Sequence, residues 1–161
     1  MQDAVTVEPT VTVTDPPTQV PTTDPVAPID PQRAAANELV RLSKDGFGRA
    51  TFDGRYVPRL SSKYGGIVDP IQTTASGSHV FQNTDILSEF KTDQQRFPDA
   101  VLLRTTDFGQ QPTVRGHSLW LDVVLQYFPT QGDVLSWCAS TFPQYTAGQL
   151  DDHCYPQQLN P

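Results

Sequence analysis

Long hydrophobic runs are absent from this 161-residue chain. No stretch approaches the roughly 18–20 apolar residues that cross a bilayer. The best run, Leu119-Trp120-Leu121-Asp122-Val123-Val124-Leu125, carries a carboxylate at its centre. Met1-Gln2-Asp3-Ala4 offers neither the basic nor the apolar region of a signal peptide. Basic residues are scarce, 11 against 18 acidic, for a formal charge of −7. Without a basic patch to neutralise phosphate, nucleic-acid binding is not expected. Only two cysteines occur, too few for a Cys-only zinc site and wrongly spaced for CxxC redox chemistry. Hydrophobic residues make up 37% of the chain and prolines number 15, so part of it is expected to stay outside any core.

What is present is unevenly spread. Residues 1–32 hold seven prolines, seven threonines, five acids, no base and no aromatic residue. Such a segment cannot bury enough apolar area to offset its ordering entropy. It is therefore read as a disordered acidic linker, stiff and partly polyproline II. The alternation Thr10-Val11-Thr12-Val13-Thr14 suits a strand, but proline flanks it on both sides. A spacer implies something to be spaced from, and a missing N-terminal anchor is the expectation.

Residues 33–161 are read as a single α+β domain. Arg33 to Lys44 has helical spacing at Ala35, Leu39 and Leu42, with Asp45-Gly46 as a stop. Arg55 to Lys63 reads as a strand in which Pro58 favours an edge or a bulge. Tyr64 to Gln82 is a long polar connection. Asp85 caps a helix that Pro98 ends, with Ile86, Leu87, Phe90 and Phe97 on one face. Ala100 to Thr106 and Ser118 to Tyr127 read as buried strands. Thr130 and Asp133 have capping-box spacing before a third helix, and a short last segment follows Cys154. The order β-α-β-β-α-β, after an extra N-terminal helix, predicts a two-layer sandwich with both later helices on one face.

Cys138 and Cys154 lie sixteen positions apart, one in the third helix and one before the last strand. Two unrelated buried thiols would fit the same positions. The spacer-like tail points to an exposed protein and favours a bridge, worth about 3 kcal/mol for a loop of this size.

Apparent catalytic motifs do not hold together. Asp107-Phe108-Gly109 spells a kinase triplet, but the Gly-rich loop, strand lysine and catalytic loop are missing. His79, His117 and His153 lack metal-ligand spacing. Ser76-Gly77-Ser78-His79 lacks the nucleophile elbow of hydrolases. No enzyme, metal or cofactor is expected.

Spaced motifs do form an ordered series: Tyr56 to Lys63, Asp85-Ile86-Leu87, Phe97-Pro98, Val101-Leu102-Leu103, Trp120 to Val124, Trp137-Cys138 and Asp151 to Cys154. In order and spacing the series resembles an actinobacterial extracytoplasmic module found C-terminal to membrane-spanning Ser/Thr protein kinases. The element order is also similar to SPOR domains, which bind peptidoglycan glycan strands. The resemblance implies an extracytoplasmic, non-catalytic binding or sensory module at the cell surface, with peptidoglycan or another surface component as partner. The alternatives are a protein–protein interaction or structural domain, and a hydrolase whose mark would be a cleft of convergent titratable groups.

Strand alternation locates the expected ligand face. If Leu121, Val123 and Leu125 point to the helices, then Trp120, Asp122 and Val124 point away, beside Arg59 and Ser61 on the first strand. Arg104 joins them. An exposed indole stacks on a sugar while Arg59, Ser61, Arg104 and Asp122 meet its hydroxyls. The opposing expectation is that Trp120 packs under the N-terminal helix, which must bury Leu39 and Leu42. In that case the glycan site fails and the module is better read as a scaffold or protein-contact domain.

Overall fold

Regular structure begins at Asp30, whose carboxylate accepts a hydrogen bond from the Gln32 amide at 3.0 Å. Pro31 occupies the first helical position, where its missing N–H has no intrahelical partner to lose. Helix α1 then runs Pro31–Arg49. The computed structural model describes residues 10–21, 23–110 and 113–161. Residues 10–21 and 23–30 are exposed and have no regular secondary structure. Thr10 to Thr14 is not a strand. The linker expected over 1–32 does not extend to Pro31 and Gln32, which are helical; residues 1–9 and 22 lie outside the described residues.

Asp45-Gly46 does not stop α1. Gly46 is instead a point of close approach: a Cβ built there would overlap the Leu102 carbonyl oxygen and lie 3.2 Å from the Val101 Cβ. The helix backbone thus lies against the next layer, and its apolar stripe, Ala35 and Leu39, is fully covered.

Strand β1 is Tyr56–Lys63. The long connection that follows is not structureless. Within it β2 (Ile67–Val68) and β3 (Val80–Phe81) pair antiparallel, and Asp69 Oδ1 accepts from the Ile71 and Gln72 amides at 2.9 Å. Helix α2 spans Asn83–Arg96. Asp85 sits in its first turn rather than at the cap, and accepts from the Gln82 amide at 2.9 Å.

Strands β4 (Ala100–Arg104) and β5 (Trp120–Val124) follow, then helices α3 (Gln131–Thr141) and α4 (Ala147–His153), then β6 (Tyr155–Gln158). Thr130 caps α3 as its spacing predicts, accepting from the Asp133 amide at 3.2 Å. The described residues form four helices, a four-stranded antiparallel sheet ordered β4-β5-β1-β6, and the small β2-β3 ribbon. No helix among them is long and apolar enough to cross a membrane.

Both sheet faces are covered. Val57, Val101, Leu103, Leu121 and Val123 pack with Phe108, Leu119 and Leu159 on one side. On the other, Leu102 meets Leu39 of α1 and Ile86 and Phe90 of α2. There too, Leu60 and Val124 meet Val134 and Cys138 of α3. Leu121 and Val123 thus face away from the helices, and the Trp120–Asp122–Val124 side is the one the helices bury. The Cys138–Cys154 disulfide ties α3 to the start of β6, with a Cα–Cα distance of 5.7 Å.

Candidate functional site

The sheet register decides which polar side chains meet. Ser61 lies opposite Asp122, and Lys63 opposite Trp120, on β1 and β5. Across β5, Leu102 and Arg104 of β4 face the same two positions. The register shifts between Arg59 and Ser61, a β-bulge that inserts one extra residue. Arg59 consequently pairs with Val123 and leaves the face that Ser61 and Asp122 share.

The five residues expected to form one ligand face are therefore divided. Arg59 points to the other side, where its Nη1 donates to Gln157 Oε1 at 3.1 Å and its guanidinium lies 5.1 Å from the Tyr155 ring centroid. Burial holds that guanidinium below its usual pKa. Trp120 packs against the α1–α2 apolar cluster, and the Arg104 guanidinium lies 5.3 Å from its ring centroid. The indole is what α1 helps to bury, so it does not offer an open stacking platform. No one surface joins all five: Arg59 meets Ser61 only at a separate concavity of about 190 Å³, while Ser61 and Asp122 meet on the helix-covered face, with Arg104 and Trp120 paired beside them.

Lys63 completes that group and was not among the residues expected. The lysine is 2% exposed. Its Nζ donates to Ser61 Oγ at 2.9 Å, Gln72 Oε1 at 2.8 Å and Glu89 Oε1 at 2.9 Å. All three ammonium donors are thereby satisfied. The ammonium also lies 4.5 Å from the Phe81 ring centroid, a cation–π contact.

Asp122 is in a different position. Only 2% of it is exposed, and neither carboxyl oxygen accepts a hydrogen bond among the described residues. Burial first, then the adjacent Asp93 carboxyl and Glu89, push its pKa well above the usual aspartate value; Lys63 opposes them without prevailing. Burial also raises Asp93. As a carboxylate Asp122 would be an acceptor with nothing to accept. As an acid it becomes a donor, and Asp93 is the acceptor beside it. One proton shared by two carboxyls accounts for both observations.

Above this pair lies a cleft of about 230 Å³ between α2 and the β2–β3 connection. Its carboxyl wall is Asp85, Glu89 and Asp93, at four-residue steps on α2. Hydroxyls of Thr73, Thr74, Ser88 and Thr92 complete the rim. Each carboxyl already has an internal partner: Asp85 the Gln82 amide, Glu89 the Lys63 ammonium, and Asp93 the Asp122 acid. That arrangement suits hydrogen-bonded recognition better than acid–base work across a scissile bond. Among the described residues no group of three or more His, Cys, Asp or Glu side chains is placed to hold a metal ion.

The signal for this site lay in the acidic triplet at four-residue steps and in a carboxylate at the centre of an apolar strand. Lys63 carried no such signal, since a strand-terminal lysine ordinarily reaches solvent.

Protonation of Asp122 would have a measurable consequence. A group whose pKa is raised by folding contributes stability that is full below its unfolded pKa and is lost as pH rises through the folded value. Asn at this position keeps a donor for Asp93 and has no proton to lose. The melting temperature of Asp122→Asn minus that of the parent should therefore grow from mildly acidic to alkaline pH. A difference constant across that range would show that Asp122 is not protonated in the fold.

The class defined so far is a disulfide-tied α+β domain with a buried ammonium–carboxyl cluster under one helix. Compared with protein-family models, curated proteins and solved structures, the chain matches none.

Proposed function

We propose that the chain is a non-catalytic extracytoplasmic binding or sensory module, displayed on a spacer, that recognises a hydroxyl- or ammonium-bearing surface component through the cleft on α2. Peptidoglycan is the partner this reading names, in keeping with the resemblance to kinase-associated and SPOR-like modules and their two-layer sandwich. The observation that carries the reading is the cleft walled by Asp85, Glu89 and Asp93, with the buried Asp122, neither of whose carboxyl oxygens has a hydrogen-bond partner among the described residues, behind it. Perturbed ionisable groups that converge in a concavity are the physical mark of a binding site. The disulfide is consistent with an oxidising compartment, and residues 23–30 are exposed and without regular secondary structure. The sugar-stacking mode on an open sheet is not part of this proposal, since α1 and α2 occupy that face.

Cosedimentation of the chain with purified cell-wall sacculi tests it. The parent should pellet with the sacculi, and Ser88→Arg should remain in the supernatant. Ser88 is exposed on α2 and lines the cleft, so a long side chain there obstructs the site without disturbing the core. A parent protein that stays in the supernatant would overturn the peptidoglycan reading.

A second reading rests on the wider groove between α1 and α2, about 620 Å³, lined by Ala34, Ala35 and Leu87, with Lys91 its single charged residue. A lining with a single charge, against the three carboxyls of the cleft, suits a protein contact, the interaction-domain alternative. Pulldown from a surface-protein extract with Leu87→Asp as the control separates it from the cleft.

A further inference from the structure

The cleft on α2 has a chemistry more specific than polarity. Lys63 shows from the inside what the site accepts: an ammonium held by a carboxylate, a hydroxyl and an amide oxygen. Lys63 uses one Glu89 oxygen, Oε1, and leaves the other available. Asp93 lines the cleft and stands beside Asp122. Thr92 donates its hydroxyl proton to the Ser88 carbonyl at 3.0 Å, so the Thr92 oxygen is left as an acceptor. The wall therefore presents acceptors in excess of donors. Asp122 lies against Asp93, buried and without any acceptor bond of its own.

We propose that this cleft seats a primary ammonium group against Glu89 and Asp93, and that Asp122 gives up its proton to solvent as the group binds. The inference rests on the cleft reading above and names the chemical class of its ligand. A metal ion is a poorer fit, because among the described residues no group of three or more ligating side chains converges. An ammonium has three donors for the acceptors of the wall, and a concavity of about 230 Å³ leaves room for the carbon chain that carries it.

The proton step follows from the charges that face Asp122. From α2 these are Glu89 and Asp93, with Arg96 acting on Asp93; from β1 there is Lys63. On β4 its opposite neighbour is Leu102, which is uncharged. With only Lys63 present, the Asp93–Asp122 pair retains one proton. A second cation beside Asp93 favours the ionised form of both carboxyls. The O–H bond of Asp122 breaks, its electron pair stays on the carboxylate, and the proton passes to buffer.

Calorimetric titration of the full chain with putrescine tests this, repeated at mildly acidic pH in buffers of different ionisation heat. Nα-acetyl-lysine amide serves as the peptide-borne amine and distinguishes it from a free diamine as the source. Binding with proton release is expected, at least one of the two amines binding. Asp93→Asn should weaken it by about tenfold or more, equivalent to about 1.4 kcal/mol. In Asp122→Asn the protons released per ligand bound should fall away. Amide shifts of the parent protein on titration need no variant and should centre on residues 73–75 and 85–93. Absence of binding by both amines, shifts centred elsewhere, or undiminished proton release in Asp122→Asn would overturn the inference. If the amines fail while sacculi still pellet the parent and not Ser88→Arg, the ammonium assignment falls and the cleft reading stands.

Discussion

Replacing Cys138 and Cys154 together by serine is expected to lower stability by about 3 kcal/mol, equivalent to about 10–15 °C in melting temperature for a domain of this size. The bridge closes a loop with a sequence separation of 16, which contains the end of α3 and all of α4. Short α4 has no fully buried residue of its own to hold it in place. Its position therefore depends on what lies at its two ends, and the disulfide fixes the C-terminal one. Both cysteines are also packed in an apolar cluster with Leu60, Val124, Val134 and Phe142. Serine hydroxyls there would lack partners and add a desolvation cost. The Cys→Ala pair separates the two effects, since alanine removes the cross-link without burying a hydroxyl. Thermal melts of the parent with and without reductant supply a third comparison. A double-alanine protein that melts within about 2 °C of the parent, less than the shift from 1 kcal/mol, would show that the bridge contributes little.

The parts of the fold legible in the sequence are those set by local periodicity and capping. The first strand ends at Lys63 as read, the third helix starts after Thr130, and the two cysteines are joined. What was not legible depended on neighbours distant in sequence. Gly46 looks like a helix stop because glycine ordinarily is one; only the nearby Leu102 carbonyl reveals that it is a contact position. Helix α4 had a signature in Thr146-Ala147-Gly148-Gln149, and the Thr146 amide does donate to Gln149 Oε1 at 3.0 Å. Seven residues give too few apolar positions to show a period, so the capping signature alone does not mark a helix.

The bulge in β1 is the clearest case for the candidate site. Strict alternation places Arg59 and Ser61 on one face, and one extra residue puts them on opposite faces. Asp122 stood out in the sequence because a carboxylate breaks an apolar run, but alternation alone could not say that a helix would cover it. Tertiary packing decided that, through Leu39, Ile86 and Phe90 over Leu102.

Lys63→Met is expected to lose roughly 3 kcal/mol, the low end of the cost of removing one partner from a buried ion pair. The lysine side chain is 3% exposed and its Glu89 partner 27%. Glu89 can therefore turn partly to water once the ammonium is gone, which keeps the loss from the upper end of that range. Gln72 Oε1 and Ser61 Oγ lose their donor as well, and unsatisfied acceptors cost about 1–3 kcal/mol each when they stay buried. Methionine fills nearly the same volume and keeps contact with Phe81, so the loss is electrostatic rather than a cavity. The double variant Lys63→Met/Glu89→Leu removes both charges and should recover most of the stability, because an apolar pair can replace a buried ion pair at little cost. Denaturant melts of the parent, both single variants and the double variant give the coupling directly. Removing Lys63 also removes the one cation that favours ionised Asp122. The pH-dependent loss of stability in Lys63→Met should accordingly start at the same pH as in the parent and continue to a higher one. A single variant as stable as the parent, or a double variant no better than the worse single, would show that the Lys63–Glu89 contact does not hold α2 to the sheet.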